Sequence, residues 1–489
     1  MSNADSQILD KVGKYNLTTL DIISYNQQKD ESAPRVMDIK GITETLQISE
    51  DILSNTISGV VSVYDTGDIR TIFPITGLER LSLKFNTPGL PGYDFTEENG
   101  TPFQIYKVDT VTKIPGKDIA QRYRIYFCSP EKFNSHTTTV SKAYAGPIEN
   151  AVEDLVTNKR YLNSKKPLFV ESTSTNAKYV IPSLKPLNAI NFLATQSVSS
   201  KYNNAGYLFF ETPRGYHFRS IESLLALNGA VARPTRWNFQ TQIQSVQDTK
   251  KSEVKDIQRR MQSVIKYEFD KHADSLANIM DGLYANRLVV HDAFNKTVKT
   301  HDFNYKENFG KGFHTETTGD ENDADKFILP DAQLNDTGKA LFESPNSKKM
   351  VVTETSKVHN DYEFVPVNDT LPKITSQRAG LKNLNLTMLV HGNTLLQAGD
   401  VINFTVPLLI PLGDIEPIPN PYTSGRYLIM AIKHTMSLET QTHDMTLRCV
   451  KDSVRTPYPS ETDPLIVGTD KTNKIDIYNE DNVGVQDYT

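Results

Sequence analysis

Polar and apolar residues alternate along much of the first 130 positions. Thr43 to Glu50 alternates loosely, Ile57 to Asp65 follows after a polar break, and Leu81-Ser82-Leu83-Lys84-Phe85 alternates strictly. A period of two turns one set of side chains to a buried face and the other to water. Phe103 to Val111 and Tyr123 to Cys128 predict two further strands, parted by a turn at Pro115-Gly116-Lys117. Five or more short strands at this spacing predict a sandwich or barrel.

The period changes after about residue 140. Ile148, Ala151, Val152, Leu155 and Val156 stand at helical spacing behind Pro147, which suits a first helical turn. Pro186 to Ser197 predicts a second helix, with Leu187, Ile190 and Ala194 on one stripe and Leu193 beside it. Tyr207 to Phe218 reads as two aromatic strands around Pro213-Arg214-Gly215, a hairpin because Pro sets φ and Gly tolerates positive φ. An α+β insert over roughly 140–230 follows from these elements.

Strands resume at Ser263 to Asp270 and at Arg287 to Asp292, with a short helix from Ala273 to Asp281 closed by Gly282 between them. From His314 to about Ser347 the chain is polar and acidic and predicts a mobile loop. Leu384 to Val390, Val401 to Val406, Tyr427 to Ile432 and Met445 to Val450 predict a last β block. Residues after about 456 carry few large apolar groups and predict a flexible tail.

The two β blocks suggest an internal repeat. Laying Cys128 on Cys449 without gaps superposes Tyr106 on Tyr427, Val108 on Ile429 and Val111 on Ile432, with Leu83-Lys84-Phe85 and Ile402-Asn403-Phe404 ahead of them. β strands share such patterns by chance, so chance similarity stands beside duplication as an explanation.

Composition narrows the function classes. The 489 residues suggest two to four domains. A formal charge of −6 argues against a dedicated DNA-binding protein, which shows a basic excess. Two cysteines, 321 positions apart, exclude a disulfide framework and a cysteine zinc site. The longest charge-free apolar stretch, Val401 to Gly413, has 13 residues and two prolines, short of the about 20 a membrane helix needs. No signal pattern opens the chain, and a soluble protein is expected.

The chain carries no phosphate loop, nucleophile elbow or His-Glu-x-x-His helix. His291-Asp292 and His301-Asp302 stand at the two ends of a predicted hairpin and read either as metal ligands or a base with its orienter, or as polar hairpin residues. Tyr207, Phe209, Phe210, Tyr216 and Phe218 read either as a stacking platform or as a two-sided sheet core. Lys250 to Asp256 reads as a solvated surface. No catalytic, cofactor-binding or metal-binding residue is assigned.

Several segments in order resemble one family. Pro74-Ile75-Thr76-Gly77-Leu78-Glu79 behind Val60 to Asp65 is similar to the first tube-like domain of contractile-tail bacteriophage baseplate hub proteins, relatives of type VI secretion spike hubs. Leu208 to Ser220 resembles that family's middle hairpin. Gly282 to Asp292 resembles the entry to its second tube-like domain, and Val390 to Ile429 resembles its closing strands.

The resemblance implies a mainly β fold with an α+β insert, two tail-tube-like β-barrel or sandwich domains flanking a mixed middle domain. The expected division is a first tube-like domain at 15–135, a middle domain at 140–235, and the first part of a second tube-like domain at 238–312. The acidic loop at 313–347 follows, then the remaining strands at 348–455 and the tail at 456–489.

The resemblance further implies a non-enzymatic homotrimer without cofactors. Its pseudo-sixfold ring would join a hexameric tail tube to a trimeric spike among other baseplate proteins and let DNA pass. No specific nucleic acid and no membrane enter that picture, and the location would be the virion baseplate, with the host cytoplasm during assembly. The alternative is a tail-associated glycan-binding or cell-wall hydrolysing protein. In the tail, Leu465, Ile466, Val467, Ile475, Ile477 and Tyr478 read either as partner anchors, ordered by adding a strand to an exposed edge, or as part of a plain disordered terminus.

Overall fold

The computed structural model describes residues 11–24, 36–113, 120–174, 176–202, 204–226, 237–241, 257, 259–271, 273–292, 295–316, 340–354, 367–407 and 419–454. Over these residues the protein is mainly β, with an α+β insert between two β units.

The first unit holds β1 (Asn16–Ile23), β2 (Val36–Asp38), β3 (Thr43–Asp51), β4 (Ser58–Asp65), β5 (Arg80–Asn86), β6 (Tyr93–Phe95), β7 (Phe103–Lys113) and β8 (Gln121–Cys128). Six of them run in the order β1-β5-β7-β8-β4-β3. Their inward residues form one apolar cluster, including Leu20, Leu46, Val61, Leu83, Ile105 and Ile125. Alternation produced this face: β3 buries Thr43, Leu46, Ile48 and Glu50 and half-exposes the residues between.

Gly59 in β4 is required by a close approach. A Cβ there would lie 2.3 Å from Phe127 Cζ and 2.4 Å from the Gln47 carbonyl oxygen, so strand and ring would both have to move. We expect Gly59→Ala to cost about 1–3 kcal/mol, the usual penalty for overpacking, read as a lowered melting temperature.

The insert contains β9 (Val140–Pro147), β10 (Leu168–Val170), β11 (Asn176–Leu184), β12 (Tyr207–Thr212) and β13 (Gly215–Ser220). Helices Ile148–Thr157 and Pro186–Gln196 pack their apolar stripes on the β12–β13 aromatics. Thr212 pairs with Gly215 across the turn, and Gly215 takes φ +137°.

The second unit holds β14 (Asn238–Thr241), β15 (Ser263–Lys271), β16 (Ala285–Asp292), β17 (Thr297–Asn304), β18 (Lys349–Glu354), β19 (Leu384–His391), β20 (Val401–Thr405), β21 (Gly425–Ser437) and β22 (Thr442–Lys451). Strands β20-β14-β15-β19-β22-β21 close on themselves, because β21 pairs both β20 and β22. Strands β17-β16-β18 form a separate sheet.

The two units share a strand plan. The run β5-β7-β8-β4-β3 corresponds to β20-β21-β22-β19-β15, and every adjacent pair in both runs is antiparallel. The gapless superposition on the cysteines is nevertheless wrong in detail. Gln104 stands opposite Cys128 but Ile429 stands opposite Cys449, an offset of 325 rather than 321, so Val108 does not match Ile429. The connections between the paired strands differ in length, and each strand therefore keeps its own offset. The plan also diverges at its sixth strand. β14 pairs β20 in parallel and closes the ring against β15, whereas β1 pairs β5 antiparallel and has no partner residues on β3.

Where β3 lacks β1 it takes another neighbour. The second half of β21 pairs with β3 from Ala431–Asp51 to Ser437–Thr45, so one continuous sheet runs through both units. The expected mobile segment 313–347 is packed at both described ends. Leu341 and Phe342 are buried, and His314 bonds Asp452, a long-range contact that polar composition alone conceals.

Candidate assembly interface

Two buried polar clusters join the units and the insert. The first lies at the β3–β21 seam. Tyr93 Oη is 3.1 Å from His434 Nε2, 3.2 Å from the Leu396 carbonyl and 3.4 Å from Glu50 Oε1. His434 Nδ1 is 3.0 Å from His443 Nε2, and Glu50 Oε2 accepts the Ala398 N–H at 3.2 Å. The four side chains come from β3, β6, β21 and β22 and are almost wholly buried. Burial pushes the Glu50 carboxyl up to about 8 and the His434 imidazole down to about 3. His443 is also driven down, by burial first and then by His434.

The second cluster ties the insert to the first unit. Lys166 Nζ donates to Glu211 Oε1 at 2.6 Å and to Glu131 Oε2 at 2.9 Å. Glu211 Oε2 accepts from Ser129 Oγ at 2.6 Å and from the backbone N–H of Ile57 at 2.9 Å. Burial opposes the charge on Lys166, but Glu211 and Glu131 outweigh it and hold the amine above its ordinary range. Burial raises the Glu211 carboxyl despite the lysine.

The residues behind the family resemblance build turns. Glu79 is buried, and its carboxylate accepts from Thr76 N and Oγ1, Gly77 N and Leu78 N at 2.8–3.1 Å. Asp65 accepts the N–H groups of Gly67 and Ile69, each at 2.9 Å. Gly282 takes φ +79° as the cap of helix Ser275–Asp281.

The weighed chemistry resolves as structure. His301 stands opposite Leu288 and His291 opposite Val298, so the strand register separates the two histidines, and Asp302 forms a two-toothed pair with Arg287 at 2.6 and 2.7 Å. The five aromatics of the hairpin are buried, with Phe209 stacked on Tyr216 at 5.1 Å. Among the described residues no group of three or more His, Cys, Asp or Glu is placed to hold a metal ion. No helix among them is long and apolar enough to cross a membrane. The tail anchors Leu465, Ile466, Val467, Ile475, Ile477 and Tyr478, the run Lys250 to Asp256 and the acidic stretch 320–325 lie outside the described residues.

Comparison with known proteins adds a set of distant likenesses. No family model and no curated protein matches the chain. A tail protein from Neisseria meningitidis MC58 aligns over 90% of this chain and 97% of its own, at 10% identity and a TM-score of 0.49. The 43 kDa tail protein of prophage MuSo2 from Shewanella oneidensis aligns over 89% and 98%, at 8% identity and a TM-score of 0.49. An E. coli type VI secretion component described as structurally similar to T4 tail proteins gp27 and gp5 aligns over 92% and 80%, at 10% identity and a TM-score of 0.41. At these values neither family nor activity follows.

Leu53, Ile72, Leu78, Tyr106 and Val111 are large apolar side chains exposed by 42–63% on the first unit. Ile265, Leu276, Met280, Val298 and Val351 are exposed by 46–69% on the second. Tyr106, Val111, Ile265, Val298 and Val351 stand on strands, where the period does not fix the character of an outward residue, and the other five lie on turns, loops or short helices.

Proposed function

We propose that this chain is a structural, non-enzymatic protein of a phage-type tail baseplate, working as a homotrimer. The observation that carries the reading is the repeated strand plan joined through the β3–β21 seam. Three copies of a chain with two such units present six comparable units, which lets a threefold object meet a sixfold one. The order of the sequence segments that resemble hub proteins supports the same reading. On it, the partners are a tail tube protein, a central spike and other baseplate proteins, and the tail anchors dock by strand addition. DNA would pass through the ring, so its inner wall should be neutral or acidic, since a basic wall would hold the polyanion.

Light scattering coupled to size exclusion over a concentration series tests the stoichiometry. We expect a mass three times 55.0 kDa, or a monomer that becomes a trimer as concentration rises. A stable dimer or tetramer would overturn the reading.

A further inference from the structure

The insert carries a groove of about 690 Å3 whose floor is one end of a sheet. β10 is the end strand of the order β10-β13-β12, and no strand among the described residues pairs its outer edge. Its inner edge is taken: Tyr216 N–H donates to the Pro167 carbonyl, and Glu171 N–H to the Phe218 carbonyl. By the alternation of strand hydrogen bonds, the amide groups of Leu168 and Val170 face outward. Phe169 and Val170 are exposed by 45% and 38%, an apolar surface that natural sheet edges ordinarily cover or charge.

Lys201, Arg214 and Arg219 line the same groove. Two carboxylates line it as well: Glu171 accepts from Ser199 and Ser220 and Asp400 accepts the Gln397 N–H, so three cations stand against two anions, with Arg219 also donating to the Ser223 carbonyl. The groove therefore offers an open strand edge and apolar side chains beside three cations. An extended segment with apolar residues between acidic ones is its complement.

This chain contains such a segment, and the described residues before it end near the groove. Residues 456–489 carry seven acidic and two basic side chains, and Leu465-Ile466-Val467 stands between Asp463 and Asp470. The described chain runs to Val454, two residues past Asp452. Asp452 lines a small cavity together with Tyr202, and Tyr202 also lines the groove. Leu465 stands eleven positions beyond Val454, a reach of up to about 40 Å.

We propose that Asp463 to Asp470 add as a strand to the outer edge of β10 of the same chain. Leu465, Ile466 and Val467 then cover Phe169 and Val170, and the flanking carboxylates face Lys201, Arg214 and Arg219. The inference rests on the strand-addition reading of the tail and places residues 463–470 on this chain's own edge rather than on a partner.

Disulfide trapping in the full chain tests it, since Cys128 and Cys449 are buried and burial pushes both thiols up, away from the thiolate that oxidises. With Phe169→Cys and Ile466→Cys, mild oxidation should give an intramolecular link at least tenfold faster than Val298→Cys with Ile466→Cys. Lys201→Glu with Arg214→Glu should slow the first reaction about tenfold. Hydrogen exchange on the unsubstituted chain should show the Val170 amide protected, and Ile466→Asp should release it without moving the melting temperature. Equal trapping rates at the two positions, or indifference to charge reversal, would overturn the proposal. Links formed only between chains would assign the edge to a second copy and overturn it as stated. Protection of residues 465–467 without protection of Val170 would refute this edge and leave strand addition standing. Protection of neither would remove both.

Discussion

Replacing Lys166 by methionine should lower the free energy of unfolding by about 3–5 kcal/mol, because it leaves two carboxyl groups buried without their shared cation. Glu131 and Glu211 are 3% and 1% exposed, so water cannot take the place of the amine. Neither carboxylate can turn away, since Glu211 also receives the Ile57 amide and Ser129, and Glu131 receives Ser164 at 2.6 Å. Calorimetry should show the loss, with exposed Lys165→Met as a control expected within about 0.5 kcal/mol of the parent. Adding Glu131→Gln and Glu211→Gln to the methionine variant should recover much of the stability, because the stranded charges go with the lysine. A loss below 1 kcal/mol in the single variant would mean that the cluster is not a junction.

The seam cluster's own contribution to stability should be greatest near pH 6.5. Glu50 rises from an ordinary 4.5 to about 8, so the folded chain holds a proton there that the unfolded chain has released above 4.5. Between about 6.5 and 8 this favours unfolding as pH increases, by about 1.4 kcal/mol per unit. His434 falls from 6.5 to about 3, and His443 also falls, so each is neutral when folded where the unfolded chain would charge it. Below about 6.5 those two histidines outweigh the one glutamic acid, and stability drops as pH falls. Glu222, raised by burial to about 7, adds its own loss as pH rises, so the difference in denaturant midpoint between the parent and Glu50→Gln from pH 5 to 8.5 reads the Glu50 part. Glu50→Gln should flatten the alkaline limb and steepen the acid limb, where the glutamic acid no longer opposes the histidines. An unchanged alkaline limb in that variant would place its origin elsewhere.

Sequence periodicity reached the elements whose burial is regular. Ile148, Ala151, Val152, Leu155 and Val156 are all buried, as their spacing requires, and β5 buries the residues its alternation selects. It missed β1, where a bulge between Leu17 and Thr19 shifts the register and breaks the period of two. It also missed helix Val367–Gly380, which carries Pro372 inside it. The polar clusters were beyond any local signal. Glu131, Lys166 and Glu211 lie 35 and 45 positions apart in the chain, and only folding makes them neighbours. The repeat was visible as a pattern, but the unequal turns after β7 and β21 hid its alignment.

The seam also sets an order of events during synthesis. Asp51 meets Ala431 and Thr45 meets Ser437, positions 380 and 392 apart. At about 5–20 residues per second, β3 emerges from the ribosome roughly 20–80 s before the strand that will cover its edge. For that interval the first unit must exist with Glu50 and Tyr93 not yet sealed against His434 and with an unpaired edge that invites the wrong strand. Its alternation of buried and half-exposed residues, with Glu44 and Gln47 facing outward on β3, keeps that waiting edge polar on one side. The nascent chain is thus held open by its own topology until nearly its last strand, and the demand on chaperones falls in that window.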